Sequence, residues 1–164
     1  IELVRLAGGP TPTGQHRHLD TITCLSFCPQ SPASTGNLRP TLLASGGADG
    51  SVHLWNLTEN TSQSLTGQHQ GAVHSIAFVP LAGWLATGSD DGTVRLWNYH
   101  DPTQGPLVLA SGNGRIAQVV GTPQWLIAGG HNGTLVSWDL RRCLVIKHAC
   151  DALQIAIAPA AKND

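Results

Sequence analysis

Apolar residues along this chain come in short runs broken by polar turns, and no stretch sustains the 3.6-residue period of a helix. Three segments repeat the same order without a gap: Leu42–Trp55, Trp84–Trp97 and Trp125–Trp138. In each, an apolar strand runs into Asp49-Gly50, Asp91-Gly92 or Asn132-Gly133, and a second strand follows that ends in tryptophan. These tryptophans recur at intervals of 42 and 41 residues. Asp-Gly and Asn-Gly tolerate positive φ angles, so each segment is expected to be a hairpin closed by a two-residue type I′ turn. Upstream of each hairpin lies a further strand ending in proline, at Ile22–Pro29, Val73–Pro80 and Ile116–Pro123, with another copy at Ala152–Pro159. Shorter strands are expected near Ser62–Thr66, Leu107–Ser111 and Cys143–Lys147, and Ile1–Ala7 has the same character.

Four antiparallel strands per unit of about 40 residues describe a propeller blade. The expected organisation is all-β: an outer strand of a preceding blade at residues 1–8, blades at 21–67, 72–111 and 115–148, and the inner strand of a following blade at 152–159. Propellers close with about 4 to 8 blades, so three complete blades make an incomplete ring. The sequence opens on Ile1 and holds no methionine, and it is expected to be part of a longer protein. Residues 30–39 lengthen one loop of the first blade with serine, proline, glycine and asparagine, a composition for an exposed loop.

Composition agrees with many short strands and tight turns: 19 glycines, 10 prolines and 41% hydrophobic residues. Only 12% of residues are charged and the net charge is −1, which supplies no basic face for nucleic acid. No apolar run approaches the ~20 residues of a membrane helix. Cys24 and Cys28 share one parity in a strand and read as small side chains on one buried face. Cys143 and Cys150 give no matching second pair, so a zinc site is not expected. Reduced thiols fit the cytoplasm, the expected location.

The turns Gly-x-x-Asp-Gly and Asp-Gly-(Ser/Thr)-Val, Leu-Trp-Asn in two units and Trp138-Asp139 in the third resemble the WD-repeat β-propeller family across nearly the whole chain. The resemblance implies a buried hydrogen-bonded set in each blade. By alignment these sets are Asp49, His18, Ser45 and Trp55 in the first, and Asp91, His69, Thr87 and Trp97 in the second. In the third blade Gly112, Ala128 and Asn132 replace the partners and Trp138 alone remains. His148 matches the histidine of a further blade. The resemblance also places three positions per blade on a partner-binding face: Thr21, Thr23 and Ala48; Ala72, His74 and Asp90; Arg115, Ala117 and His131. Asp151 and Leu153 begin the same pattern again.

Two histidine–hydroxyl–aspartate sets could suggest a hydrolase. They recur in register with the fold and tryptophan completes each, so they read as structural, and no catalytic residue is expected. His74, Asp90 and His131 are of metal-ligand type, but blades diverge radially and no metal is expected there. No cofactor is implied. The expected function is a non-catalytic protein–protein interaction scaffold within a larger protein or complex. Its partners would be other proteins or the rest of the same polypeptide completing the ring. The alternative is a regulatory or sensor domain of a multidomain enzyme whose catalytic part lies outside these residues.

Overall fold

The computed structural model describes residues 18–29, 42–79, 83–110 and 114–142. The expected strands at the two ends, the strand at 143–147, the loop at 30–39, Gly112, His148, Asp151, Leu153, Cys143 and Cys150 lie outside them. The described part is all-β except for one helical turn at 140–142.

The first sheet runs β1 (Ile22–Phe27), β2 (Leu42–Gly47), β3 (Val52–Asn56), β4 (Thr61–Ser64), and the second β5 (Val73–Val79), β6 (Trp84–Ser89), β7 (Thr93–Asn98), β8 (Leu107–Ala110). The third has β9 (Ile116–Gly121), β10 (Trp125–Gly130) and β11 (Leu135–Asp139). Neighbours in sequence are neighbours in each sheet and all pairs are antiparallel. β4 starts one residue before, and ends two residues short of, the expected Ser62–Thr66. Leu65 leaves the strand to bury its side chain, while its N–H still bonds to Val52 O.

The hairpin turns differ from the type I′ expectation. Only the glycines, Gly50, Gly92 and Gly133, have positive φ, at 78°, 77° and 80°. Asp49, Asp91 and Asn132 do not. In the first and third hairpins, Gly47 and Gly130 N–H bond to Ser51 and Thr134 O, and Gly50 and Gly133 N–H bond back to Gly47 and Gly130 O. This is a three-residue loop, a type I turn followed by a left-handed glycine. The acid or amide ahead of that glycine is selected by its side chain rather than its φ. Asp49 Oδ1 accepts from Ser51 N–H and hydroxyl, Asp91 Oδ1 from those of Thr93, and Asn132 Oδ1 from those of Thr134.

Period-two patterning builds two cores between the three sheets. Ala44, Val52, Leu54 and Cys24 of the first sheet pack against Val73, Ile76, Phe78, Leu85 and Trp97 of the second. The opposite face of the second sheet, with Val79, Ala86, Val94 and Leu96, packs against Ile116, Val119, Leu126 and Ala128 of the third. Cys24 and Cys28 are half-buried against the first core, Cys24 as a free thiol. Close approach needs glycine at one repeated position. A Cβ on Gly46 would lie 2.6 Å from Val73 Cγ1, and one on Gly88 would lie 2.4 Å from Ile116 Cγ2. At the equivalent Gly129, nothing among the described residues lies within 4 Å.

The outer flanks are therefore open. Leu25 and Phe27 on β1 are 51% and 62% exposed, while the equivalent Ile76 and Phe78 on β5 are 8% and 6%. Leu135 on β11 is 75% exposed, while its equivalents Val94 and Val52 are fully buried.

Candidate functional site

Two of the expected polar sets assemble, with different wiring. In the second blade the Trp97 indole N–H donates to Thr87 Oγ1 at 2.8 Å. Thr87 Oγ1 lies 2.7 Å from His69 Nε2, and His69 Nδ1 lies 2.9 Å from Asp91 Oδ2. A carboxylate only accepts, so His69 carries its proton on Nδ1 and its Nε2 accepts from the threonine hydroxyl. Every donor in the chain then points towards Asp91. In the first blade Trp55 donates to Ser45 at 2.8 Å and Ser45 Oγ meets His18 Nε2 at 2.7 Å. Here Ser51 intervenes. Its Oγ lies 2.7 Å from His18 Nδ1 and 2.6 Å from Asp49 Oδ1, whereas His18 and Asp49 themselves are 3.5 Å apart. The sequence reading left out Ser51 and Thr93. A hydroxyl two residues after each Asp or Asn, at Ser51, Thr93 and Thr134, was the signal available.

Electrostatics follow from this wiring. Burial would push the Asp49 carboxyl up, but bonds from the Ser51 hydroxyl and N–H, Leu19 N–H and His18 outweigh it and hold the group at about 2. The same balance holds Asp91 far below the usual carboxylate range, with donors from Thr93, Gln70 and His69. Burial lowers His18 and His69, and the neighbouring carboxylates only partly offset it. Both imidazoles are thus neutral at pH 7. Arg95 closes the second set from outside, donating to Gly67 O and Gln68 O and lying 3.4 Å from Asp91 Oδ2. Ser45 and Thr87 are wholly buried, so neither hydroxyl meets a substrate while its blade stays closed. In the third blade Ala128 offers no acceptor and Trp138 is half-buried.

The nine candidate face positions share a construction. Each inner strand opens with a register shift, between Ile22 and Cys24, between Val73 and Ser75, and at Ile116–Gln118 opposite Gly129–Gly130. The extra residue is Thr23, His74 or Ala117. A bulged residue leaves the ladder and its side chain is re-aimed, and all three are exposed. The turn is tied to the same end of the strand. Ala48 N–H bonds to Thr21 O, Asp90 N–H to Ala72 O, and His131 N–H to Arg115 O, at 2.8, 2.9 and 3.0 Å. Three residues per blade are thereby gathered at one end of each sheet. The bulges had no single-sequence signal, because a bulge shows in pairing and not in composition.

These positions are chemically unequal. Thr21, Thr23 and Ala48 are small and uncharged, and the Thr23 hydroxyl turns inward to Val73 O. At the junction of the second and third blades His74 Nε2 stands 2.9 Å from Asp90 Oδ1, and Arg115 Nε stands 3.7 Å from the same oxygen. The His74 and His131 rings meet edge to face with centroids 6.4 Å apart. Among the described residues no group of three or more His, Cys, Asp or Glu has the geometry to hold a metal ion, nor is any helix long and apolar enough to cross a membrane.

No curated protein matches this chain. Solved structures do, 680 chains in all. One is the crystal structure of the computationally designed Ika4 protein, at 23% identity and a TM-score of 0.59, covering 74% of this chain and 68% of that one. At that identity the likeness establishes the fold alone. The family model described as WD domain, G-beta repeat matches residues 11–56 and 60–98. That is more than half of the sequence and spans both complete hydrogen-bonded sets, and the chain belongs to the WD-repeat family, whose repeats generally serve protein–protein interaction.

Proposed function

We propose that this chain is a non-catalytic scaffold section of a propeller, holding a partner protein on the face built by the bulges and turns. The observation that carries the reading is the repeated bulge. Three blades spend a ladder position to expose Thr23, His74 and Ala117 at one end of their sheets, which packing alone does not require. The two open flanks support a second part of the reading. A neighbouring blade covers Ile76 and Phe78 but not Leu25 and Phe27, so further blades, from the same polypeptide or another chain, would complete the ring. A cytoplasmic setting fits the free thiol of Cys24, and fluorescence microscopy of the tagged full-length protein tests it.

The function is tested by gentle affinity purification of the full-length protein, wild type against Thr23→Arg, His74→Glu and Ala117→Arg together. All three residues are exposed, and because Thr23 and His74 also contact Val73 O and Asp90, a cooperative melt of the variant is the control that its fold survives. Stoichiometric partners lost from the triple variant support the reading. A protein that comes down alone, or partners indifferent to the three substitutions, overturns it.

A further inference from the structure

The cluster at the junction of the second and third blades has a polarity that the rest of the described face lacks. Asp90 is its only acid, and its Oδ1 is out of contact with water, with His74 Nε2 at 2.9 Å and Arg115 Nε at 3.7 Å beside it, neither in hydrogen-bond geometry. His74 and Arg115 both crowd that oxygen from their own blades. Their remaining surfaces face out. Arg115 is 68% exposed along its side chain and His74 36%, and His131 is exposed beside them. One carboxylate oxygen is thus turned inward, and the Arg115 side chain is the more exposed partner of the pair. A guanidinium whose terminal nitrogens bond to nothing among the described residues is shaped for a carboxylate fork.

Position strengthens the case. His131 N–H bonds to Arg115 O, which fixes the third-blade turn beside the arginine. Asp90 N–H bonds to Ala72 O, which fixes the carboxylate beside His74. Two backbone bonds within the blades, with the Arg115–Asp90 and His74–His131 contacts between them, therefore hold groups from separate blades within one side-chain length. An approach of 3.7 Å is too long for a hydrogen bond, so Arg115 is free to tighten when an anion reaches its outer edge. The first blade offers Thr21, Thr23 and Ala48 at the same places and can make no such clamp.

We infer that this junction is the anchor point of the interaction face and that it takes a carboxylate side chain from an acidic segment of the partner. The inference rests on the proposed face and names the chemistry of what sits there. Its test is fluorescence anisotropy at low salt with the full-length protein and three labelled decapeptides: glutamate-rich, its glutamine counterpart, and one carrying phosphoserine in place of glutamate. The glutamate peptide should bind saturably and at least tenfold more tightly than the glutamine one. Arg115→Glu should abolish most of that difference, while Arg141→Glu, an exposed arginine at the far end of β11, should leave it within twofold. Equal loss from both variants, equal binding of glutamate and glutamine peptides, or a strong preference for phosphoserine overturns the inference. Partner capture by the full-length protein, lost in the triple bulge variant yet kept in Arg115→Glu, would leave the proposed face standing and remove only its acidic specificity.

Discussion

Phe27 and Phe78 occupy the same place in successive repeats, yet one is 62% exposed and the other 6%. Truncating each to alanine separates what a strand contributes from what a neighbouring blade contributes. Phe78 lies in the core between the first two sheets, edge to face with Tyr99 at 5.4 Å between centroids. Phe78→Ala removes a large buried ring and should cost about 3–5 kcal/mol. Phe27 has about a third of its surface covered, so Phe27→Ala in the 164-residue chain should cost about 1 kcal/mol or less, on the scale of 1.5–3 kcal/mol for full burial. Urea unfolding followed by tryptophan fluorescence measures both, with unchanged m-values as the check that the two variants unfold alike. On the proposed reading, in which a preceding blade of the full-length protein covers β1, the cost of Phe27→Ala there should rise towards that of Phe78→Ala. Equal costs in the 164-residue chain would show that the first flank is already covered. A cost that stays small in the full-length protein would show that no blade packs there.

Thr87→Val removes the acceptor of the Trp97 indole and the donor to His69 while keeping the volume, and should cost about 1–3 kcal/mol for buried groups left unpaired. A urea midpoint within error of wild type would refute the wiring. Gly88→Ala puts a methyl into Ile116 and should destabilise by about 1–3 kcal/mol, whereas Gly129→Ala should be near neutral, both read as melting temperatures. Acid should act in two stages. His18 and His69 have lowered values in the fold, so stability is complete above roughly pH 6.5 and begins to fall as pH drops below it. Asp49, held at about 2, adds a contribution of roughly 2 kcal/mol that is full above about pH 4 and drains between there and pH 2. Urea midpoints that stay level from pH 8 to pH 3 would contradict this.

Much of the fold was readable because blades repeat. One strand of apolar residues is ambiguous, but Leu42–Trp55 aligned on Trp84–Trp97 is not, and the tryptophan interval sets the length of the unit. Turn type was misread for a definable reason. Asp-Gly suits both a type I′ turn and a type I turn with a left-handed glycine, and the choice depends on whether the acid caps the next hydroxyl, as Asp49 does with Ser51. Ser51 escaped notice because the expected set assigned the His18–Asp49 contact to the two residues directly. His74, Asp90 and His131 were legible in the sequence as a set on one face, but the approach of Arg115 to Asp90 was not. Their convergence depends on how far two blades diverge, and local sequence does not encode that angle.

The flanks that leave Phe27 and Leu135 open are not copies of one another. One presents an aromatic and a leucine on an inner strand; the other presents Gly129 as a seat with no Cβ beside a leucine on the third strand. Such unlike surfaces give the unit a direction, so it adds head to tail and not face to matching face. Assemblies of that kind end either by closing or by running on as a filament. Closing a ring would thus limit growth as well as add stability, and the 164-residue chain alone should grow in length with concentration rather than settle as a two-fold pair.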